Sequence, residues 1–88
     1  MRILVCWDDA EQIELLKMYL GLDDNAVLAT TDRDQFLTLV NSPQTFDVIL
    51  MAASHPDYDI GFETFQLVME SRPTCPVVAA CPQSDVYR

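Results

Sequence analysis

Apolar and polar residues follow one another along this chain in two alternating patterns. Short runs that are apolar at nearly every position recur, and the first of them is Ile3 to Trp7. A run of this kind is typical of a β-strand that is covered on both faces. Between the runs, apolar residues recur at the spacing of one helix face, as at Ile13, Leu16 and Leu20. The pattern therefore predicts strands that alternate with helices.

The order of these elements predicts an α/β fold. Strands and helices alternate as βαβαβαβ, which is the arrangement of a parallel sheet with helices on both faces. A loop over residues 55–60 is expected before the third helix, with Asp57 and Asp59 as turn formers. The predicted strands are residues 2–7, 26–30, 46–52 and 75–81, and the predicted helices are residues 10–20, 32–40 or 34–40, and about 62–70.

Polar and small residues indicate where the first two helices begin and end. Asp9 is expected to be the N-cap of the first helix, because its carboxylate can accept hydrogen bonds from the free amides of the first turn. Gly21 is expected to follow the last turn as the C′ residue. The second helix starts from Asp32 or Asp34, and Pro43 stops it.

Composition and charge limit the classes of function. The chain has 88 residues, enough for one small domain, and half of them are apolar, as in a globular protein. Fourteen acidic residues against five basic ones give a net charge of −9, which repels phosphate backbones. Nucleic-acid binding is therefore not expected.

The sequence also predicts a cytoplasmic protein with reduced cysteines. No apolar run approaches the ~20 residues that span a bilayer, and charge returns at Asp8 too early for a signal peptide. Cys75 and Cys81 flank a predicted strand, which separates them by roughly 20 Å, beyond the reach of a disulfide. We therefore expect no membrane association and no disulfide between these two residues.

Two features together resemble the receiver domain of two-component response regulators. Asp8 and Asp9 close the first apolar run, and the run from Phe46 to Met51 is followed by the turn 55–59. The resemblance implies a flavodoxin-like, doubly wound sheet with strand order 2-1-3-4. In that family an acidic pair after the first strand holds Mg2+, and an aspartate that ends the third strand accepts a phosphoryl group.

The chain departs from the family at the residues that carry this chemistry. The position five beyond Asp47 is Ala52, and counting back from Gly61 leads to Ala53 instead. Both registers give an alanine, and a methyl group cannot attack phosphorus. Cys81 stands where the family has a hydroxyl residue at the end of strand four, and a thiol is a weaker hydrogen-bond donor. The resemblance therefore implies a receiver that has lost its phosphoacceptor.

The role of the acidic pair has alternatives. The resemblance assigns weak Mg2+ binding to Asp8 and Asp9, because few charged ligands give low affinity. A gapless comparison pairs Trp7 and Asp8 with the family's acids instead. A third reading is that the aspartates only cap the helix that follows. Trp7 is expected to pack against a helix, and its bulk could fill the vacated pocket.

By the resemblance, residues 1–88 form a single partial receiver-like domain. The fourth helix, fifth strand and fifth helix are missing from it. Strand four then becomes an edge, and its residues Val77 to Ala80 carry no charge that would discourage pairing with another chain. We therefore expect a homodimer of this piece, with two-fold symmetry.

The function predicted from these residues is a non-phosphorylatable regulatory module that contacts a protein partner or its own output domain, and not an enzyme. One alternative is a fragment of a metal-dependent phosphoryl-transfer or hydrolytic enzyme of the same fold. The lack of a glycine-rich phosphate loop speaks against that alternative, since Gly21 and Gly61 are the only glycines. The other alternative is a plain dimerisation module.

Overall fold

The computed structural model describes residues 1–53 and 57–80. In these ranges, strands and helices alternate in the predicted order, with one short 3-10 turn after the first helix. The elements are β1 (Arg2–Cys6), α1 (Ala10–Leu20), the 3-10 turn (Gly21–Asp23), β2 (Ala26–Thr30), α2 (Arg33–Val40), β3 (Val48–Ala52), α3 (Tyr58–Ser71) and β4 (Val77–Ala80).

The four described strands form one parallel sheet in the order β2-β1-β3-β4. Cys6 at the end of β1 lies opposite Thr30 of β2 and Met51 of β3, and Ala52 lies opposite Ala80 of β4. The predicted doubly wound α/β arrangement is therefore confirmed. Because the strand order reverses between β1 and β3, the carboxyl ends of these two strands define the crevice where such sheets bind ligands.

The sheet separates two apolar cores. The core beneath α2 and α3 is the larger one, and α1 covers the other face. Strand residues alternate between them because successive side chains point to opposite faces. The buried members of the larger core are Leu4, Cys6, Phe36, Val40, Phe46, Ile49, Met51 and Val68, and those of the smaller core are Ile3, Val5, Trp7, Ile13 and Ala52.

Each α-helix begins after an aspartate. One carboxylate oxygen of Asp9 accepts hydrogen bonds from the amides of Glu11 at 2.8 Å and Gln12 at 3.4 Å. Asp32 caps α2 in the same way, and Asp57 caps α3. Three acids at this edge of the sheet therefore satisfy amides that a helix leaves free, which stabilises each helix by about 1 kcal/mol. The predicted cap Asp9 is confirmed, and Asp32 is the correct choice for α2.

The third helix begins at Tyr58, four residues before the predicted start. The carboxylate of Asp57 accepts a hydrogen bond from the amide of Ile60 at 2.9 Å, so this residue is a helix cap and not a turn former. Asp59 lies in the first turn of the helix. Gly61 is inside the helix, although its low helix propensity suggests a boundary.

The end of α1 also differs from the expected glycine termination. Gly21 has a φ of −83°, which any residue can adopt, and the chain continues through the 3-10 turn. The left-handed residue is Asp24, with a φ of 63°. The side-chain amide of Asn25 donates a hydrogen bond to the carbonyl of Leu20 at 2.8 Å and so satisfies one of the last carbonyls of the helix.

Arg72 holds the loop between α2 and β3 at the amino edge of the sheet. Its guanidinium donates hydrogen bonds to the carbonyls of Val40 at 2.8 Å, Ser42 at 2.9 Å and Gln44 at 2.6 Å. The same group lies 5.0 Å from the ring centroid of Phe46. This loop is therefore fixed by charge-assisted hydrogen bonds and a cation–π contact.

Candidate functional site at the carboxyl edge of the sheet

Trp7 is the first residue beyond β1 and lies on the side of the crevice that α1 covers. Its backbone amide donates to the carbonyl of Thr30 at 3.1 Å, and its side chain is only 8% exposed. The indole Nε1 donates a hydrogen bond to Oε1 of Gln12 at 2.6 Å. Trp7 belongs to the same buried cluster as Ile13 and Ala52. The indole therefore packs against α1, as predicted, and brings its bulk to this end of the sheet.

Two alanines end the third strand. Ala52 is the last residue of β3 and Ala53 follows it, and each is only 2% exposed. The amide of Ala53 donates to the carbonyl of Ala80 at 2.7 Å, which extends the contact with β4. The two positions that the resemblance implies for a phosphoacceptor are thus occupied by buried alanines. Neither of them supplies an oxygen nucleophile.

The backbone after β3 comes unusually close to α3. A Cβ atom built on Gly61 would lie 1.7 Å from the carbonyl oxygen of Ala53, a distance that real Cβ atoms do not adopt. Only glycine allows the first turn of α3 to approach the end of β3 in this way. The sequence shows Gly61 near the expected junction, but this close contact with Ala53 is not predictable from it.

The two aspartates at the end of β1 differ in their surroundings. Asp9 directs one carboxylate oxygen at the amides of its own helix, so that oxygen is not free for a cation. Asp8 is exposed beside it. In residues 1–53 and 57–80, no group of three or more His, Cys, Asp or Glu side chains is arranged to hold a metal ion. The weak Mg2+ binding expected of this pair stays a prediction, because Mg2+ needs only one or two carboxylates and takes most of its other ligands from water.

Cys6 ends β1, two residues before Asp8, and its thiol is unreactive. Its side chain is 4% exposed, and burial raises the pKa of the thiol to about 12. The negative charges of Asp32 and Asp8 add to this increase in pKa, while Arg33 opposes it. The thiol is therefore neutral at physiological pH and is no nucleophile. Both Cys6 and Cys75 are free thiols.

A polar link between α2 and α3 flanks the crevice, and the sequence gives no signal for it. Arg33 donates from Nε to the hydroxyl of Thr64 at 2.6 Å and lies 3.6 Å from a carboxylate oxygen of Glu63. Thr64 is 2% exposed and donates in turn to the carbonyl of Ile60 at 2.7 Å. The hydroxyl thus both accepts and donates a hydrogen bond, and the bond from Arg33 joins the two helices.

Cys81, which the resemblance places at the position of the family's hydroxyl residue, lies outside the described ranges, as do residues 55 and 56 of the predicted loop. The site that can be described therefore consists of the ends of β1 and β3 with the first turns of the helices.

Comparison with known proteins adds no family. The sequence matches no protein-family model, and no curated protein is significantly similar to it. In the described part of the chain, no helix is both long and apolar enough to cross a membrane. What is established is the class of fold, a doubly wound parallel α/β sheet, and folds of this class carry many unrelated functions.

Proposed function

We propose that this chain is a receiver-like regulatory module that does not accept a phosphoryl group and that acts through contact with another protein. One observation carries the proposal: Ala52 ends β3 as a buried methyl at the crevice of a 2-1-3-4 sheet. Phosphoryl transfer to a receiver needs a carboxylate at this place. The same sheet without that carboxylate retains only its surfaces for signalling.

The surroundings of Ala52 support this proposal. Trp7 is buried in the same cluster, and its indole N–H is already bonded to Gln12. Cys6 offers only a neutral thiol. Without phosphate as input, the module would respond to partner binding itself. The net charge of −9 favours a protein partner or a neighbouring domain of the same chain over nucleic acid.

Intact-mass spectrometry after incubation with acetyl phosphate and Mg2+ tests the proposal. We expect no phosphoryl adduct on the wild-type chain, while a phosphorylatable receiver in the same tube acquires one. We do not expect Ala52→Asp to restore acceptance, because that substitution would bury a carboxylate in the apolar cluster that contains Trp7. A phosphoryl group mapped to any crevice residue of the wild-type chain contradicts the proposal.

A dimerisation module is the second candidate, and the β4 edge favours it. In the described residues β4 pairs only with β3, and Val78 on it is 50% exposed. An uncharged strand edge recruits other strands. Light scattering during gel filtration separates the candidates: a dimer that Val78→Lys converts to monomer supports dimerisation, and a 10.0 kDa monomer at high concentration excludes it.

A further inference from the structure

Helix α1 is apolar on two opposite faces. Its inner face packs on the sheet through the buried Ile13 and the half-buried Leu16 and Leu20. Its outer face continues into the 3-10 turn and faces water with four large apolar side chains. We call this set the outer stripe: Leu15 (52% exposed), Met18 (56%), Tyr19 (67%) and Leu22 (72%).

The spacing of the outer stripe matters more than the exposure of any one residue. Its members stand at positions i, i+3, i+4 and i+7, which places them along one side of the helix. Scattered apolar residues on a surface need no explanation, but a contiguous set marks an interaction site. The same spacing anchors helices that bind other proteins through an apolar face. Within residues 1–53 and 57–80, the outer stripe is therefore an exposed apolar surface of the kind that binds a partner.

The charges around the stripe define the counterpart. Glu11 and Glu14 lie exposed on α1 beside one end, and Asp23 and Asp24 lie exposed beside the other. Lys17 is the single basic residue of α1. A partner surface that carries basic residues around an apolar seam would match this pattern, because opposite charges across an interface favour association and speed encounter.

A second copy of the chain matches the stripe less well. An antiparallel two-fold pairing that sets Leu15 against Leu22 of the second copy also sets Glu14 against Asp23. A parallel pairing sets Glu14 against its own counterpart. Either arrangement brings like charges together between two molecules that each carry a net charge of −9. Repulsion of this kind disfavours association.

We propose that the outer stripe docks an amphipathic helix of a protein partner, one whose apolar residues are flanked by Lys or Arg. This surface lies on the outer side of α1, away from the carboxyl edge of the sheet. The inference rests on the partner contact in the proposed function and names a surface for it, but it does not depend on whether the crevice accepts phosphate.

Two synthetic peptides serve as probes. Both have ~18 residues, about five helical turns, with Leu at i, i+3, i+4 and i+7 positions, and they differ only in having Lys or Glu elsewhere. Fluorescence anisotropy of the labelled peptides measures binding to the full chain. We expect the Lys peptide to bind at least tenfold tighter than the Glu peptide, with an affinity that falls as salt rises.

A matched pair of variants separates the stripe from general attraction between an acidic protein and a basic peptide. Met18→Gln with Leu22→Gln removes apolar surface and leaves the charge unchanged, and we expect it to weaken binding at least tenfold. Leu67→Gln with Met69→Gln removes residues of α3 that are 39% and 43% exposed, and binding should remain within twofold of wild type. Circular dichroism verifies that both variants fold.

Three results overturn the inference. One is the absence of Lys-peptide binding, and another is equal binding by wild type and the Met18→Gln, Leu22→Gln variant. The third is a dimer in light scattering that this variant dissociates, which assigns the stripe to a second copy. The acetyl phosphate experiment is independent of all three, so a failure of one proposal is distinguishable from a failure of the other.

Discussion

Replacing Gly61 with alanine tests the contact that joins the end of β3 to the first turn of α3. Two effects of opposite sign compete in this substitution. Alanine has the higher helix propensity, which by itself would stabilise α3 by roughly 1 kcal/mol. The added methyl group, however, would lie 1.7 Å from the carbonyl oxygen of Ala53.

The steric effect should exceed the gain in propensity. Relief of the overlap requires that distance to grow from 1.7 Å to at least 3.0 Å, and the atom in the way belongs to the backbone. The end of β3 cannot yield easily, since the amide of Ala53 is bonded to the carbonyl of Ala80 at 2.7 Å. Overpacking of a close contact costs about 1–3 kcal/mol, and more where backbone must move. Because backbone must move here, the cost should reach about 3 kcal/mol or more, which leaves a net loss of about 2 kcal/mol or more after the gain in helix propensity.

Urea unfolding followed by the fluorescence of Trp7, the only tryptophan, measures this loss. In a domain of this size, about 2 kcal/mol corresponds to a decrease in Tm of roughly 8–16 °C. Gly21→Ala is the matched control, because nothing lies within 4 Å of the added methyl group and the φ is −83°. That variant should be stabilised by about 0.4–1 kcal/mol.

A Gly61→Ala protein at least as stable as wild type would refute the reasoning. Helix propensity would then exceed the steric effect, and the close approach of α3 to Ala53 could not be a feature of the folded chain.

Three further predictions follow from single contacts. Arg72→Lys should lower the free energy of unfolding by about 2 kcal/mol, since one ammonium cannot reach three carbonyls and also stack on an aromatic ring. A variant as stable as wild type would show that these contacts of Arg72 do not stabilise the fold. Asp9→Ala should lower the free energy of unfolding by about 1 kcal/mol and Asp8→Ala should leave it almost unchanged, because only Asp9 caps α1. Titration with Mg2+ should change the fluorescence of Trp7 only at millimolar concentration. A fluorescence change that persists when both aspartates are replaced would exclude the pair as its cause. The raised pKa of Cys6 keeps the folded thiol protonated while the unfolded thiol ionises, so stability should fall as pH rises from 9 towards 12, and Cys6→Ala should remove that part of the slope; an unchanged slope contradicts the assignment.

The elements that the sequence predicts well are those whose signals lie within a few residues. β2 is found at Ala26–Thr30 as predicted, and Asp9 caps α1 as predicted. The order of strands and helices follows from the two periods of the apolar pattern, since each period selects one kind of element. The start of α3 is predicted four residues late, because Asp57 and Asp59 are expected to form a turn, whereas Asp57 is the cap of the helix.

In the candidate site, too, some features are predictable from the sequence and others are not. Parallel strands end at one edge of a sheet, so the sequence alone brings Asp8, Asp9 and Ala52 to the crevice. Two hydrogen bonds of the site are not predictable from the sequence: the bond from the Trp7 indole to Gln12 and the bond from Arg33 to Thr64. The second bond joins residues 31 positions apart. Periodicity determines which face a side chain occupies. Which polar group it then meets depends on how helices pack on one another, and only the tertiary structure decides that.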